Sequence, residues 1–147
     1  MKEFLSRRKK SKFGTIAGSA MHSRLQFIVI DKNIDNLPIM RGDTELIKSI
    51  NSHSELVRFF VSSARVEVPI AGIVDGKFVS RRIDRMIIDD KEIEFLDYKT
   101  DTDKNARRGH YESQMQGYKK LLCAAYPEHK ISGYILWLHD WTLERII

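Results

Sequence analysis

Arg81-Arg-Ile-Asp-Arg-Met-Ile-Ile-Asp-Asp-Lys-Glu-Ile-Glu-Phe-Leu-Asp-Tyr-Lys-Thr100 reads as two apolar-rich runs on either side of an Asp89-Asp-Lys91 turn. Runs of Ile, Met and Phe bounded by such a polar cluster are the strands of a hairpin. Upstream, Val66, Val68 and Ile70 alternate with Arg65, Glu67 and Pro69, and Asp75-Gly76 supplies a tight turn before Phe78. Residues 65–70, 78–88 and 93–99 are therefore expected to form an antiparallel meander. Downstream, residues 101–109 are polar and basic and read as a loop. Residues 111–126 place Tyr111, Met115, Tyr118, Leu122 and Ala125 on one helical face, and Pro127 stops the helix. Residues 134–138 and 141–147 read as two last strands, with Trp137 and Trp141 covering the sheet. A helix set between a meander and later strands predicts a mixed α/β sheet with helices packed on it.

The first third is less regular. Gly18-Ser-Ala-Met-His22 opens a segment with Met21, Leu25 and Ile28 at helical spacing. Residues 31–42, with Asn, Asp, Pro and Gly, read as a connection. Asp43 is placed to cap a helix whose inner face is Leu46, Ile47 and Ile50, and a second short helix is expected over residues 56–61.

At 147 residues the chain suits one domain. The single Cys123 excludes internal disulfides, four-cysteine zinc sites and cysteine-held iron–sulfur clusters, and fits a reducing cytosol. No apolar run is long enough to span a membrane, and no apolar segment follows the basic start as in a secretory leader. A cytoplasmic protein without a membrane role is expected. The net charge of +5 resides in residues 1–12, where Lys2, Arg7, Arg8, Lys9, Lys10 and Lys12 face only Glu3. The rest of the chain is balanced. Residues 1–13 read as a basic arm or linker, attractive to phosphate backbones, and residues 14–147 as the folded domain.

Asp84 and Asp97 each interrupt an apolar strand and fall close to one rung of the hairpin. Facing carboxylates raise each other's pKa unless a positive charge lies between them, and a hard divalent cation such as Mg²⁺ supplies one. Lys99 projects from the same face of its strand as Asp97, while Tyr98 points into the other layer. Asp…Asp-x-Lys is the arrangement that phosphodiester hydrolysis by a metal-bound water requires. Taken alone, the same residues also suit a surface salt bridge.

The segment resembles the active-site core of the PD-(D/E)xK nuclease superfamily, in the branch formed by the nuclease domains of RecB/AddA-type helicase–nucleases. The resemblance runs in order through Gly18-Ser-Ala-Met-His22, Glu67-Val-Pro-Ile70, Arg82-Ile-Asp-Arg85, Asp97-Tyr-Lys-Thr100 and Tyr111-Glu-Ser-Gln-Met-Gln-Gly-Tyr118. It implies a restriction-endonuclease-like mixed sheet flanked by helices, and an Mg²⁺- or Mn²⁺-dependent deoxyribonuclease of exonuclease type serving double-strand-break repair or end processing. It implies His22, Asp84, Asp97 and the Tyr98 carbonyl as metal ligands and Lys99 as the catalytic lysine. Gln114 and Tyr118 would brace the catalytic strand or the DNA, or else close the core. Glu67 would stand behind the metal ligands or pair with an arginine. Lys104, Arg107, Arg108 and Tyr111 follow the site and are candidate DNA contacts. DNA and a helicase or AddB-like subunit are the implied partners. No Walker-type phosphate loop is present in the sequence. The alternative from another class is a non-catalytic DNA-binding or scaffolding module packed on a helicase.

Overall fold

The computed structural model describes residue 18 and residues 20–147, so the basic arm over residues 1–13 lies outside the described residues. The strands are β1 (Val29–Lys32), β2 (Pro38–Arg41), β3 (Arg65–Val74), β4 (Lys77–Ile88), β5 (Glu92–Lys99), β6 (Lys130–Trp137) and β7 (Thr142–Arg145). β1 and β2 form a hairpin of their own, and the other five make one mixed sheet in the order β3-β4-β5-β6-β7. β3, β4 and β5 are the antiparallel meander that alternation and turn residues predict. β5 and β6 run parallel, from Glu92 opposite Lys130 to Lys99 opposite Trp137. Parallel neighbours need a crossover, and the long helix Arg108–Ala125 provides it.

Alternation along β5 sends Ile93 and Phe95 toward the long helix and Leu96 and Tyr98 toward the opposite layer. The long helix covers its face with Tyr111, Met115, Tyr118 and Leu122. Ala125, expected on that stripe, is exposed in the last helical turn. The opposite face is closed by the first third of the chain, where Leu25, Ile28, Ile50, Leu56, Phe59 and Phe60 are wholly buried. Asp43 caps the short helix Thr44–Asn51, its Oδ1 accepting the Leu46 amide at 3.1 Å, and Leu46, Ile47 and Ile50 are the buried face.

Four expectations need correction. The first helical segment ends at residue 25, and Ile28 leads into β1 instead of extending the helix. Residues 31–42 are not a bare connection: half of β1 and all of β2 lie in them. Asn33 Oδ1 accepts the amides of Asp35 and Leu37, a side-chain-built turn that closes the hairpin. The second short helix is a 3₁₀ turn, Ser54–Phe59. The last strand begins one residue late, where Trp141 takes a left-handed turn conformation (φ 59°), and ends at Arg145, although Ile146 and Ile147 still bond to Gly133 through the backbone.

The first helical segment stops where it does because of Arg85. This side chain is 1% exposed and makes no ion pair among the described residues. Its Nη2 donates to the carbonyls of Leu25 (2.8 Å) and Ile28 (2.9 Å), and its Nη1 to that of Phe59 (2.9 Å). Its Nε donates to the Tyr98 hydroxyl (2.9 Å), and its guanidinium lies 4.1 Å from the Phe60 ring centroid. Carbonyls at helix ends carry partial negative charge and lack intrahelical donors. One buried cation therefore collects the ends of two helical segments and ties both to the sheet.

Arg85→Leu should lower unfolding stability by about 3 kcal/mol or more, since it strands several buried acceptors. Arg85→Lys should restore little, because a point ammonium cannot span three carbonyls and a hydroxyl. Urea denaturation midpoints measure both, and an Arg85→Leu cost under about 1 kcal/mol would contradict the clamp.

Candidate active site

The site lies where the sheet comes apart. The β4–β5 ladder runs from Ile88 opposite Ile93 to Arg85 opposite Leu96 and then stops. Beyond that point β4 pairs with β3 alone, and β5 continues on β6 as far as Lys99. The first rung past the break carries Asp84 and Asp97. Asp84 Oδ2 accepts the Tyr98 amide at 2.8 Å, so a carboxylate stands in for the lost strand carbonyl. Glu67 occupies the same rung on β3, between Val66 opposite Arg85 and Val68 opposite Ile83. Its φ of 49° is left-handed, a strained conformation for a non-glycine residue.

Both aspartates are buried, Asp84 at 6% and Asp97 at 5% exposure. His22 Nδ1 lies 3.4 Å from Asp84 Oδ1, with its ring edge-on to Tyr98. Lys99 Nζ lies 2.8 Å from Asp97 Oδ2 but out of line for a hydrogen bond, so that oxygen has no hydrogen-bond partner among the described residues. The Lys99 donor is directed instead to Gln114 Oε1 at 2.9 Å, and Gln114 Nε2 donates to the Tyr118 hydroxyl at 3.1 Å. Lys99 Nζ also sits 4.3 Å from the Tyr111 ring centroid. The Tyr111 hydroxyl donates to Asp101 at 2.7 Å. Gln114 thus links Lys99 on β5 to Tyr118 of the long helix, and Tyr111 and Tyr118 belong to the core.

The electrostatics separate the two aspartates. Burial pushes the Asp97 carboxyl up to about 7, with Asp84 adding to the rise and Lys99 opposing it. Burial also raises Asp84, but hydrogen bonds from His22, Asp97 and the Tyr98 amide outweigh it and hold Asp84 below the ordinary value. His22 is raised, chiefly by its hydrogen bond to Asp84 and against the effect of burial. Of the two, Asp97 therefore holds a proton more readily than a free aspartate, and Asp84 is the one that ionises first.

His22, Asp84 and Asp97 were expected to gather about one point, and here they meet only in pairs. Among the described residues no three His, Cys, Asp or Glu side chains are grouped closely enough to hold an ion. Two side chains, His22 and Lys99, balance one carboxylate each. The donor chemistry still fits a hard divalent cation: two carboxylates, one of them with an unpartnered buried oxygen, a backbone carbonyl at Tyr98 and an imidazole. No protein-family model matches the chain, and no curated protein matches it.

The basic loop looks different in three dimensions. Lys104 pairs with Asp140 at 2.7 Å, Arg107 with Asp101 at 3.3 Å and Arg108 with Glu144 at 2.7 Å. Their charges are matched within the fold. Glu67 lies 3.7 Å from Arg82, the arginine pairing its sequence left open, while its field also reaches His22. Two residues were not singled out from sequence. Arg85 is one, and its signal was a charge inside an apolar strand. Gly117 is the other: it sits mid-helix, an ideal Cβ there would meet nothing within 4 Å, and glycine costs about 1 kcal/mol relative to alanine at such a position.

In metal-free protein Asp97 binds its proton more tightly folded than unfolded. Its stabilising contribution is present below about pH 4, the unfolded value, and is lost as pH rises toward about 7. Asp97→Asn removes this loss, so the variant should gain on wild type steadily across that window. Denaturation midpoints from about pH 4 to 8 test it, and a pH-independent difference between the two proteins would refute the assignment.

Proposed function

We propose that this chain is a divalent-metal-dependent DNA nuclease domain of the RecB/AddA type, with a restriction-endonuclease-like sheet, acting on DNA ends in double-strand-break repair or end processing. The observation that carries the reading is the buried, unpartnered Asp97 oxygen beside Asp84 and 2.8 Å from Lys99 Nζ. A scaffold has no need of two buried carboxylates on one rung, an arrangement that burial and mutual repulsion both oppose.

Asp84 and Asp97, with the His22 imidazole and the Tyr98 carbonyl, would hold the cation. When bound, the cation lowers the pKa of water and neutralises phosphate charge. The chain's own groups do the positioning. Gln114 fixes Lys99 Nζ on the Asp97 side of the rung, where a directed cation stabilises negative charge developing on a phosphodiester. Tyr118 fixes Gln114 in turn. Tyr111 gives Lys99 an aromatic wall that excludes water, which strengthens that electrostatic contribution.

Mg²⁺ or Mn²⁺ should raise thermal stability, by about 2.7 kcal/mol at a hundredfold excess over the dissociation constant. Asp97→Asn should lose both that gain and the cleavage of linear DNA. Lys99→Ala should keep the metal response yet lose about 100-fold or more in turnover. Melting curves with and without metal, paired with a cleavage assay, decide the matter. Wild type that neither responds to metal nor cuts DNA, alone or with a helicase partner, would leave the scaffold.

A further inference from the structure

The free-standing part of the β3–β4 hairpin forms one wall of a cleft. β3 pairs with β4 from Arg65 opposite Met86 to Val74 opposite Lys77, but β4 reaches β5 only from Arg85 onward, so the rest of the hairpin is a two-stranded arm beside the sheet. The arm packs on the long helix where Gly72 approaches Leu121; a Cβ at Gly72 would come within 2.9 Å of Leu121 Cδ2. Toward the helix start the two separate and enclose a cleft of about 350 Å³, within the range of small-ligand sites. Val79 and Arg81 line it from the arm, and His110, Ser113, Gln114 and Gly117 from the helix.

Three features of this cleft point to the same occupant. Gln114, which lines it, is also the acceptor for Lys99, so the cleft opens directly beside the reacting groups. Arg81 makes no ion pair among the described residues, its one hydrogen bond going to the neighbouring Ser80 carbonyl (3.0 Å). The cations of the basic loop are, by contrast, all matched by carboxylates. Gly117 lines the cleft with no side chain although nothing lies within 4 Å of its ideal Cβ. Packing does not demand a glycine there, and helix stability disfavours one. Its effect is to keep the helix side of the cleft clear.

We propose that this cleft receives the nucleotide next to the scissile phosphodiester, with Arg81, His110 and Ser113 holding its phosphate and the bare face at Gly117 admitting its sugar and base. This rests on the nuclease reading and assigns its neighbouring strand a path. Arginine and hydroxyl donors are the ordinary partners of backbone phosphate, and Val79 supplies an apolar wall.

The test uses Gly117→Leu and Arg81→Ala in two settings. Binding of a single-stranded DNA oligonucleotide is followed by fluorescence anisotropy in a Lys99→Ala background, and KM is measured by cleavage in the otherwise wild-type protein. Gly117→Leu should melt no lower than wild type yet bind DNA about tenfold or more weakly, through steric filling. Arg81→Ala should weaken binding by about tenfold and flatten the log–log salt slope by about 0.7 for one lost contact on single strands. Both should raise KM. A wild type that cuts DNA while both variants bind and cut equally well would overturn the cleft and leave the nuclease reading intact. A wild type that binds with these dependences but never cuts would support the cleft and remove the nuclease reading. A wild type that neither binds nor cuts would overturn both.

Discussion

The Arg85 guanidinium is the constraint on which the rest of the architecture depends. A fully buried cation without a carboxylate survives only if dipoles surround it. Here the dipoles are the terminal carbonyls of the first helical segment and of the 3₁₀ turn, a tyrosine hydroxyl and an aromatic face. Remove the charge and those carbonyls have no donor; remove the carbonyls and the charge has no partner. The two halves of the chain are thus mutually required. Because Arg85 follows Asp84 directly, the residue that anchors the first third of the chain to the sheet also sets the position of the acidic rung on the other side of it.

That rung works against the fold's stability. Two carboxylates lie in a dry break in the sheet, an arrangement that burial and mutual repulsion both oppose. The structure limits the conflict by giving each a cationic neighbour, His22 or Lys99, and by setting the proton affinities of the two carboxyls apart. Glu67, opposite Asp84 on β3, is in a strained backbone conformation, and such strain tends to gather at functional sites. Stability is forgone in one small region amid otherwise well-packed layers.

Much of this was legible in the residues. Period-two alternation and the Asp75-Gly76 and Asp89–Lys91 turns located the meander, and the spacing of Asp84 and Asp97 around the second turn put them on one rung. The Asp43 cap and the long helix were equally readable, because each rests on local hydrogen bonding or a single apolar stripe. What escaped were features decided by distant partners. The first helical segment ends early because Arg85, 60 positions from Leu25, captures its last carbonyls. The β1–β2 hairpin has no alternating pattern, since all of β2 is exposed. Two ion pairs of the basic loop escaped as well, because Lys104 and Arg108 find Asp140 and Glu144 36 positions further on, beyond the long helix.

Asp84 and Arg85, neighbours on β4, serve opposite layers, and this makes that part of the strand intolerant of insertion or deletion in a way its flanking turns are not. Gaining or losing one residue between the Asp75-Gly76 and Asp89–Lys91 turns would exchange the two faces over part of β4. The aspartate would then point among Leu25, Phe59 and Phe60, and the arginine toward the long helix. Both groups would be misplaced by a single codon. Change in chain length is therefore confined to the two turns, while β4 itself can vary only by substitution.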